Sequence, residues 1–178
     1  GWPLRITMLL VTLLGVLIGG SLIGLIVAAV DSKVEQLRRG RSVVAERGHT
    51  LVLGWSPRVF TLISEIVEAN VNQRRGRIVV LAAEEKPVME EAIRERVGDT
   101  KTTRIVCRTG DPSSPQDLLI ANADEARSIV VLAGGEDGVA DAEAVKAVLA
   151  VMSSESRRAS ATVVAELNEA ETARALHD

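Results

Sequence analysis

The feature that most limits the fold of this chain is an uncharged apolar run, residues 6–30, which ends at Asp31. As an α-helix the run would be about 37 Å long, whereas the hydrocarbon core of a membrane is about 30 Å thick. We therefore expect one transmembrane helix within residues 1–30. Basic residues follow the run at Lys33, Arg38, Arg39, Arg41 and Arg47, and only Arg5 precedes it. The positive-inside rule then predicts that the C-terminal side lies in the cytoplasm.

The alternative for this run is a secretory signal peptide or an uncleaved anchor. A signal peptide has a basic leader and an apolar region of about 7–15 residues. Here the leader holds a single arginine and the apolar run is longer. The chain opens on Gly1 and not on Met, and the residues after Asn168 predict the start of another helix. We expect the sequence to be a piece of a longer protein.

Glycines recur inside the apolar run in two patterns, Gly15-x-x-x-Gly19 and Gly20-x-x-x-Gly24. Small residues at this spacing allow another helix to approach closely, and simple helix packing is one interpretation. The other is a hinge, because adjacent glycines make a helix easier to bend. Gly19, Gly20 and Gly24 are the hinge candidates within the run.

A charged connector, residues 31–47, follows the membrane segment. Its spacing of apolar residues predicts that the membrane helix continues into it. Gly40 is the weakest position for a helix in this stretch and is the fourth hinge candidate.

Residues 48–178 predict one α/β domain. Apolar β-branched runs alternate with segments of helical periodicity, as in a parallel sheet. The runs are continuous, which is typical of strands covered on both faces. They are residues 50–53, 77–83, 103–108, 128–133 and 161–167. With right-handed crossovers they predict a doubly wound, Rossmann-like parallel sheet in the order 3-2-1-4-5.

Helices are predicted between these strands. The first has one apolar face, and the second and fourth span residues 88–97 and 139–152. In the third, Ser114 is a favourable N-cap ahead of Pro115. Leu118, Leu119 and Ala121 are expected to face the sheet.

The turn after the first strand is where this fold brings a glycine-rich loop and a helix N-terminus to a pyrophosphate. Here residues 54–59 read G-W-S-P-R-V, so only Gly54 matches the pattern G-x-G-x-x-G. Ser56 replaces the glycine that lets the backbone approach a pyrophosphate, and we expect its hydroxyl to cap the helix. The turn therefore disfavours ordinary NAD binding and favours a structural N-cap.

Acidic residues follow the next strands. Glu84 and Glu85 come where a carboxylate can accept hydrogen bonds from ribose hydroxyls, although a solvated helix start explains them equally. Asp111 is either a ligand contact or a turn residue. Residues 134–137, G-G-E-D, fit a loose cation site or an ordinary acidic loop. The candidate cofactor-binding residues are thus Gly54, Ser56, Glu84 and Asp111, and the ligand stays open between a nucleotide and Ca²⁺.

Composition and missing motifs argue against other classes of protein. A net charge of −3 disfavours a nucleic-acid partner. The chain has no tyrosine for a Tyr/Lys dyad and no phosphate-transfer loop, so no catalytic residue is assigned and no enzyme is expected. A receiver domain would need acidic residues where the chain has Gly54. Cys107 is expected to be a buried inert thiol, and His49 and His177 have no metal-ligand spacing, so no metal ligands are assigned.

Three stretches of the chain are distinctive: residues 22–26, L-I-G-L-I; residues 35–42, E-Q-L-R-R-G-R-S; and residues 48–56, G-H-T-L-V-L-G-W-S. Together they resemble the CASTOR/POLLUX ion-channel family and its bacterial relatives. In that family the inner helix of the pore leads into RCK domains, which regulate the conductance of potassium and related cations and assemble as a tetrameric gating ring.

The resemblance implies that residues 6–30 line a pore and that residues 48–178 are the Rossmann-like N-terminal (TrkA-N) part of an RCK domain. It implies a fragment of a ligand-regulated cation channel of the plasma membrane, first of all a potassium channel, with the RCK domain in the cytoplasm. The implied partners are the lipid membrane, permeant cations and three further copies of the chain. The alternative is a membrane-anchored, nucleotide-binding regulatory subunit of a potassium uptake system. No filter of the T-V-G-Y-G type occurs, so the fragment is not expected to conduct alone.

Overall fold

The computed structural model describes residues 1–38, 42–72, 76–134, 138–154 and 161–168. The chain divides into two compact units, Gly1–Leu37 and Arg38–Asp178.

The first unit is a single helix, α1, which spans Trp2–Arg38. The part Trp2–Val30 is long and apolar enough to cross a membrane, and its side chains are exposed. The helix continues past the end of the apolar run to Arg38, whereas residues 42–47 of the predicted helical connector are not helical. Gly40, the predicted bend, lies outside the described residues.

The glycines of α1 lie in unbroken helix. A Cβ atom placed on Gly19, Gly20 or Gly24 would meet nothing within 4 Å. Between the first two and the third, the Ser21 hydroxyl donates to the carbonyl of Leu17 at 2.8 Å. Such back-bonding slightly loosens and often bends a helix. The hinge itself stays a prediction.

The second unit is built on a five-stranded parallel sheet in the order β3-β2-β1-β4-β5. The predicted doubly wound topology is therefore confirmed. The strands are β1 Thr50–Leu53, β2 Gly76–Ala82, β3 Thr103–Thr109, β4 Ser128–Val131 and β5 Thr162–Ala165.

Helices cover both faces of this sheet. They are α2 Arg58–Ala69, α3 Lys86–Arg96, α4 Pro115–Ile120 and α5 Gly138–Met152, with a 3-10 turn at Ala123–Glu125. Neighbouring residues of a strand point to opposite faces. Leu51 and Leu53 thus pack on the side of α4 and α5, and Val52 packs on the side of α2 and α3. All three are fully buried, which accounts for the continuous apolar runs.

The short helix α4 confirms one prediction and corrects another. Ser114 is its N-cap, and the Ser114 hydroxyl accepts from the Asp117 amide at 3.4 Å. Leu118 and Ala121 are buried, but Leu119 is 62% exposed and does not face the sheet. Adjacent residues of a helix are about 100° apart, so Leu118 and Leu119 cannot both point at the same surface.

Residues 42–48, here called the strap, lie in this second unit just ahead of β1. Val44 is 3% exposed and joins the core on the side of α4 and α5. Its amide donates to the carbonyl of Ile120 at 2.8 Å. The strap is therefore packed onto the α/β unit as part of its core.

Candidate functional site

A cavity of about 600 Å³ opens at the carboxyl ends of the strands. In a doubly wound sheet this edge, between the two strands where the chain reverses its direction of winding, is where ligands bind. The cavity volume is within the range of small-molecule sites. The loops after β1, β2 and β3 bring Gly54, Glu84 and Asp111 to its wall, together with residues of α5.

Gly54 is fixed by the backbone. Its φ of +96° is a conformation that side chains with a Cβ rarely adopt, and a Cβ there would lie 2.6 Å from the carbonyl oxygen of Leu132. The Gly54 amide donates to the carbonyl of Leu81 at 2.9 Å. A glycine at this position therefore lets the end of β1 turn directly against the chain leaving β4.

Ser56 does not cap α2, contrary to the prediction. The cap position falls on Pro57, whose φ of −55° and ψ of −24° are already helical, and no side chain there accepts a hydrogen bond. The Val59 amide donates to the backbone carbonyl of Ser56 at 3.0 Å. The Ser56 hydroxyl is buried without a hydrogen-bond partner. The first turn of α2 thus keeps backbone donors that no side-chain cap occupies.

Carboxylates dominate the rest of the wall. Glu84 accepts from the Glu85 amide at 3.1 Å, and Asp111 accepts from the Ser113 amide at 2.8 Å and its hydroxyl at 2.7 Å. These bonds from Ser113 hold the pKa of Asp111 below its ordinary value. Glu143 also lines the cavity, and Lys146 is the cation among the lining residues. The charge of the wall favours cations or hydroxyl groups over a free anion.

Trp55 gives the cavity an aromatic wall that the sequence analysis did not single out. Its ring meets Phe60 edge to face, with centroids 5.4 Å apart, and the Arg96 guanidinium lies 4.5 Å above the Phe60 ring. The chain has one Phe, two Trp and no Tyr. Two of these three aromatic residues, Trp55 and Phe60, are only five positions apart in the sequence, and this spacing could have indicated an aromatic wall.

Other residues considered from the sequence lie elsewhere. Cys107 is buried in β3, and burial raises the pKa of its thiol to about 12, as expected for an inert thiol. His49 is fully buried before β1. Among the described residues, no His, Cys, Asp and Glu side chains group closely enough to hold a metal ion. Gly134 lines the cavity, and the acidic residues 136–137 lie outside the described ranges.

The α/β unit matches a known protein family. Residues 45–165 match the family described as the calcium-activated potassium channel slowpoke-like RCK domain. The chain belongs to the slowpoke-like RCK family. The match begins within the strap and ends with β5, so it covers the sheet, the cavity and most of the strap.

The relatives that this chain matches are proteins named as ion channels or probable ion channels. The chain is 41% identical over 139 residues to the probable ion channel CASTOR of Oryza sativa subsp. japonica and 38% identical over 138 residues to the ion channel POLLUX of Lotus japonicus. These alignments cover 78% and 77% of this chain but 15% of each relative. The resemblance to the CASTOR/POLLUX family is confirmed, and the chain spans about a seventh of those proteins' length.

A solved structure supports the fold independently. The RCK domain superposes on the structure described as the GsuK channel bound to NAD with a TM-score of 0.56, over 80% of this chain and 22% of that one. The two share 20% sequence identity. The two therefore share the Rossmann-like fold at low sequence identity.

Proposed function

We propose that this chain is a fragment of a ligand-regulated cation channel subunit in which the RCK domain acts on a pore-lining helix. One observation carries the proposal: an apolar helix long enough to span a membrane and an RCK domain follow each other in one chain. The helix ends at Arg38 and the strap begins at Ser42, so a movement of the domain has a short path to the helix. The role of the domain is regulatory and not catalytic.

The pore assignment is supported by the relatives, whose names describe ion channels. Gly19, Gly20 and Gly24 would supply the hinge, because glycine loses little by leaving helical geometry. The Ser21 hydroxyl, which back-bonds to Leu17 beside them, lowers the resistance of the helix to bending. Gly40 would bend between the helix and the strap.

The cavity at the carboxyl ends of the strands is our candidate for the regulatory ligand site. Glu84 and Asp111 on its wall suit ribose hydroxyls. Next along the chain from the wall residue Trp55, the uncapped start of α2 keeps backbone donors that suit phosphate oxygens, whereas the Ser56 hydroxyl is buried and does not line the cavity. A nucleotide fits this donor and acceptor set better than the sequence alone indicated, because no side chain caps the start of α2. The GsuK channel, described as bound to NAD, is a precedent for such a ligand.

The remaining proposals follow from the channel assignment. The basic residues after the apolar run favour a cytoplasmic RCK domain. We propose the plasma membrane as the location of the helix. Four copies would surround one pore and join their RCK domains in a gating ring, with potassium as the first permeant ion to test. A nucleotide is the first ligand to test, and Ca²⁺ is the alternative, although the described carboxylates do not group closely enough to hold a metal ion.

Bilayer recording of the complete subunit tests the channel function. We expect single-channel cation currents whose open probability changes with the ligand, with selectivity read from reversal potentials in potassium, sodium and calcium gradients. A properly assembled tetramer without cation conductance would overturn the proposal and favour the regulatory subunit of an uptake system.

Thermal unfolding of the complete subunit with NAD, NADH, ATP or Ca²⁺ tests the ligand site. A ligand that binds only the folded state raises the unfolding temperature. We expect at least one of these to do so, and Asp111→Asn to reduce the shift while Glu91→Gln, on an exposed residue of α3, preserves it. If none of the four raises the unfolding temperature, the cavity is not the site of these ligands.

A further inference from the structure

The short helix α4 is tied at one end to the ligand cavity and at the other to the strap. We propose that α4 is the element that transmits a change in the cavity to the strap, and thus toward α1. This inference rests on the proposed function, since it specifies how the cavity would control the membrane helix.

The first end of α4 is bonded to the cavity loop. The Asp111 amide donates to Asp117 Oδ2 at 2.8 Å, and the Ser114 amide donates to the Asp111 carbonyl at 3.0 Å. Asp111 and Ser113 both line the cavity. A Cβ atom on Gly110 would lie 3.0 Å from Asp117, so loop and helix are in close contact here. The position of α4 therefore depends on the conformation of residues 110–114.

The other end of α4 is bonded to the strap. The Ile120 carbonyl accepts from the Val44 amide at 2.8 Å. Just beyond the helix, Asn122 Nδ2 donates to the carbonyl of Glu46 at 2.8 Å. Asn122 holds a left-handed backbone, with φ of 54° and ψ of 46°, which few side chains adopt. These bonds join two backbone groups of the strap to the end of α4 that is remote from the cavity.

The strap also crosses the sheet on the same face as α4. Arg108 Nε donates to the Ser42 carbonyl at 2.7 Å, near the carboxyl end of β3. Glu46 pairs with Arg77 at 2.9 Å and Arg104 at 3.4 Å, near the start of β2 and β3. Residues 42–46 thus run antiparallel to β3 from one end of the strand to the other. A shift of the strap would therefore change its contacts at both ends of β3.

Besides the hydrogen bonds at its two ends, α4 and its C-cap residue pack against the sheet. Leu118 is 5% exposed and Ala121 is fully buried against the sheet. Because this short helix is closely packed, we expect it to tilt as a rigid unit, so that a displacement of one end also moves the other end. A ligand that binds one conformation of Asp111 and Ser113 more tightly would favour the corresponding tilt of α4. The strap then shifts with the far end.

Residue-resolved amide hydrogen exchange on the full-length subunit tests this coupling without needing a ligand or a current. Asp117→Ala removes the acceptor of the Asp111 amide at the cavity end. We expect severalfold faster exchange at the strap amides of Val44 and Gly48, which donate to Ile120 and Glu125. The matched control is Glu91→Ala on the exposed face of α3, outside the cavity, which should leave both amides unchanged.

The reverse variant, Asn122→Gly, removes the side-chain bond to Glu46 while glycine keeps the left-handed backbone. We expect faster exchange at the amides of Asp111 and Ser114. Its control is Lys101→Gly, which changes the other described non-glycine residue of positive φ, outside the strap and α4.

Unchanged strap exchange in Asp117→Ala, with β1 amides still protected, would overturn the proposal, as would an equal effect of Glu91→Ala. If Asp117→Ala also speeds amide exchange in β1, the variant has destabilised the whole domain, and the Asn122→Gly result then decides whether the coupling exists. Exchange does not depend on conduction, so a subunit that passes no current but shows the coupling rejects only the channel function. A conducting subunit without the coupling rejects only the role of α4.

Discussion

Two residues at opposite ends of β1 illustrate how single positions fix this domain. Gly54 follows the strand and makes the close approach to Leu132 possible. His49 precedes it and is fully buried. Backbone geometry constrains Gly54 and desolvation constrains His49, and the effect of each on the stability of the domain can be measured.

Gly54→Ala should destabilise the RCK domain by about 3 kcal/mol or more, because the left-handed backbone and the clash with Leu132 add together. Gly48→Ala is the control. Gly48 also has a positive φ, of +64°, but a Cβ there meets nothing within 4 Å. It should lose only the backbone contribution of about 1–2 kcal/mol. Urea unfolding of both variants measures the difference, and equal losses would contradict the role of the Leu132 contact.

Stability should fall as the pH drops through the ordinary pKa of histidine, 6.5, because burial lowers the pKa of His49 in the folded state. The folded imidazole stays neutral while the unfolded one takes up a proton, so acid favours unfolding by at most about 1.4 kcal/mol per pH unit. Glu46 opposes the shift and Arg77 adds to it. Unfolding free energies of the wild type and His49→Leu, measured between about pH 7.5 and about 5.5, should differ in slope. Parallel slopes would contradict the prediction.

The sequence predicted which residues lie at the cavity better than it predicted their contacts. Gly54, Glu84 and Asp111 reach the wall because residues after parallel strands meet at one edge. Ser56 was assigned a cap that it does not form, since Pro57 is already helical and takes the cap position. Hydroxyl geometry depends on a few backbone angles that residue types do not specify.

At the scale of elements, α4 shows how short helices limit prediction from apolar patterns. Its N-cap at Ser114 follows from local chemistry. Its buried face does not, because a helix of six residues has fewer than two turns, too few for a repeating apolar pattern to distinguish Leu118 from Leu119. The structure makes that choice through tertiary packing.

Leu118→Ala should cost about 2–5 kcal/mol of unfolding free energy, because it empties a buried site against the sheet. Leu119→Ala, on the neighbouring 62% exposed residue, should change stability by less than about 0.5 kcal/mol. Denaturant unfolding of the two variants side by side provides the measurement. Similar losses would mean that Leu119 is covered in solution.

The sheet order was predictable and the strap was not. Continuous apolar runs and right-handed crossovers leave few arrangements for the strands. The strap instead takes its contacts from residues far along the chain: Arg108 is 66 positions from Ser42, and Asn122 is 76 from Glu46. Nothing in the local pattern of a charged connector signals partners at that distance.

For the whole molecule, the distribution of charge around α1 predicts its direction in a membrane. Protease digestion of sealed vesicles bearing this chain with a C-terminal tag should reach the tag only from the cytoplasmic side. Exchanging the basic residues that follow the apolar run for glutamine, and adding lysines before Ile6, should reverse the protection. A tag that stays cytoplasmic after the exchange would contradict control by these charges.

The long-range contacts of the strap also set an order of events during synthesis. A membrane helix enters the bilayer while the chain is still growing, and domains fold once their residues have been made. The strap emerges right after α1, but its acceptor at Ile120 and its donor at Asn122 come some 76 residues later. The apolar run is therefore made well before the residues of α4 that hold the strap. A ribosome that stalls after β3 would therefore leave the strap without its partners at Ile120 and Asn122.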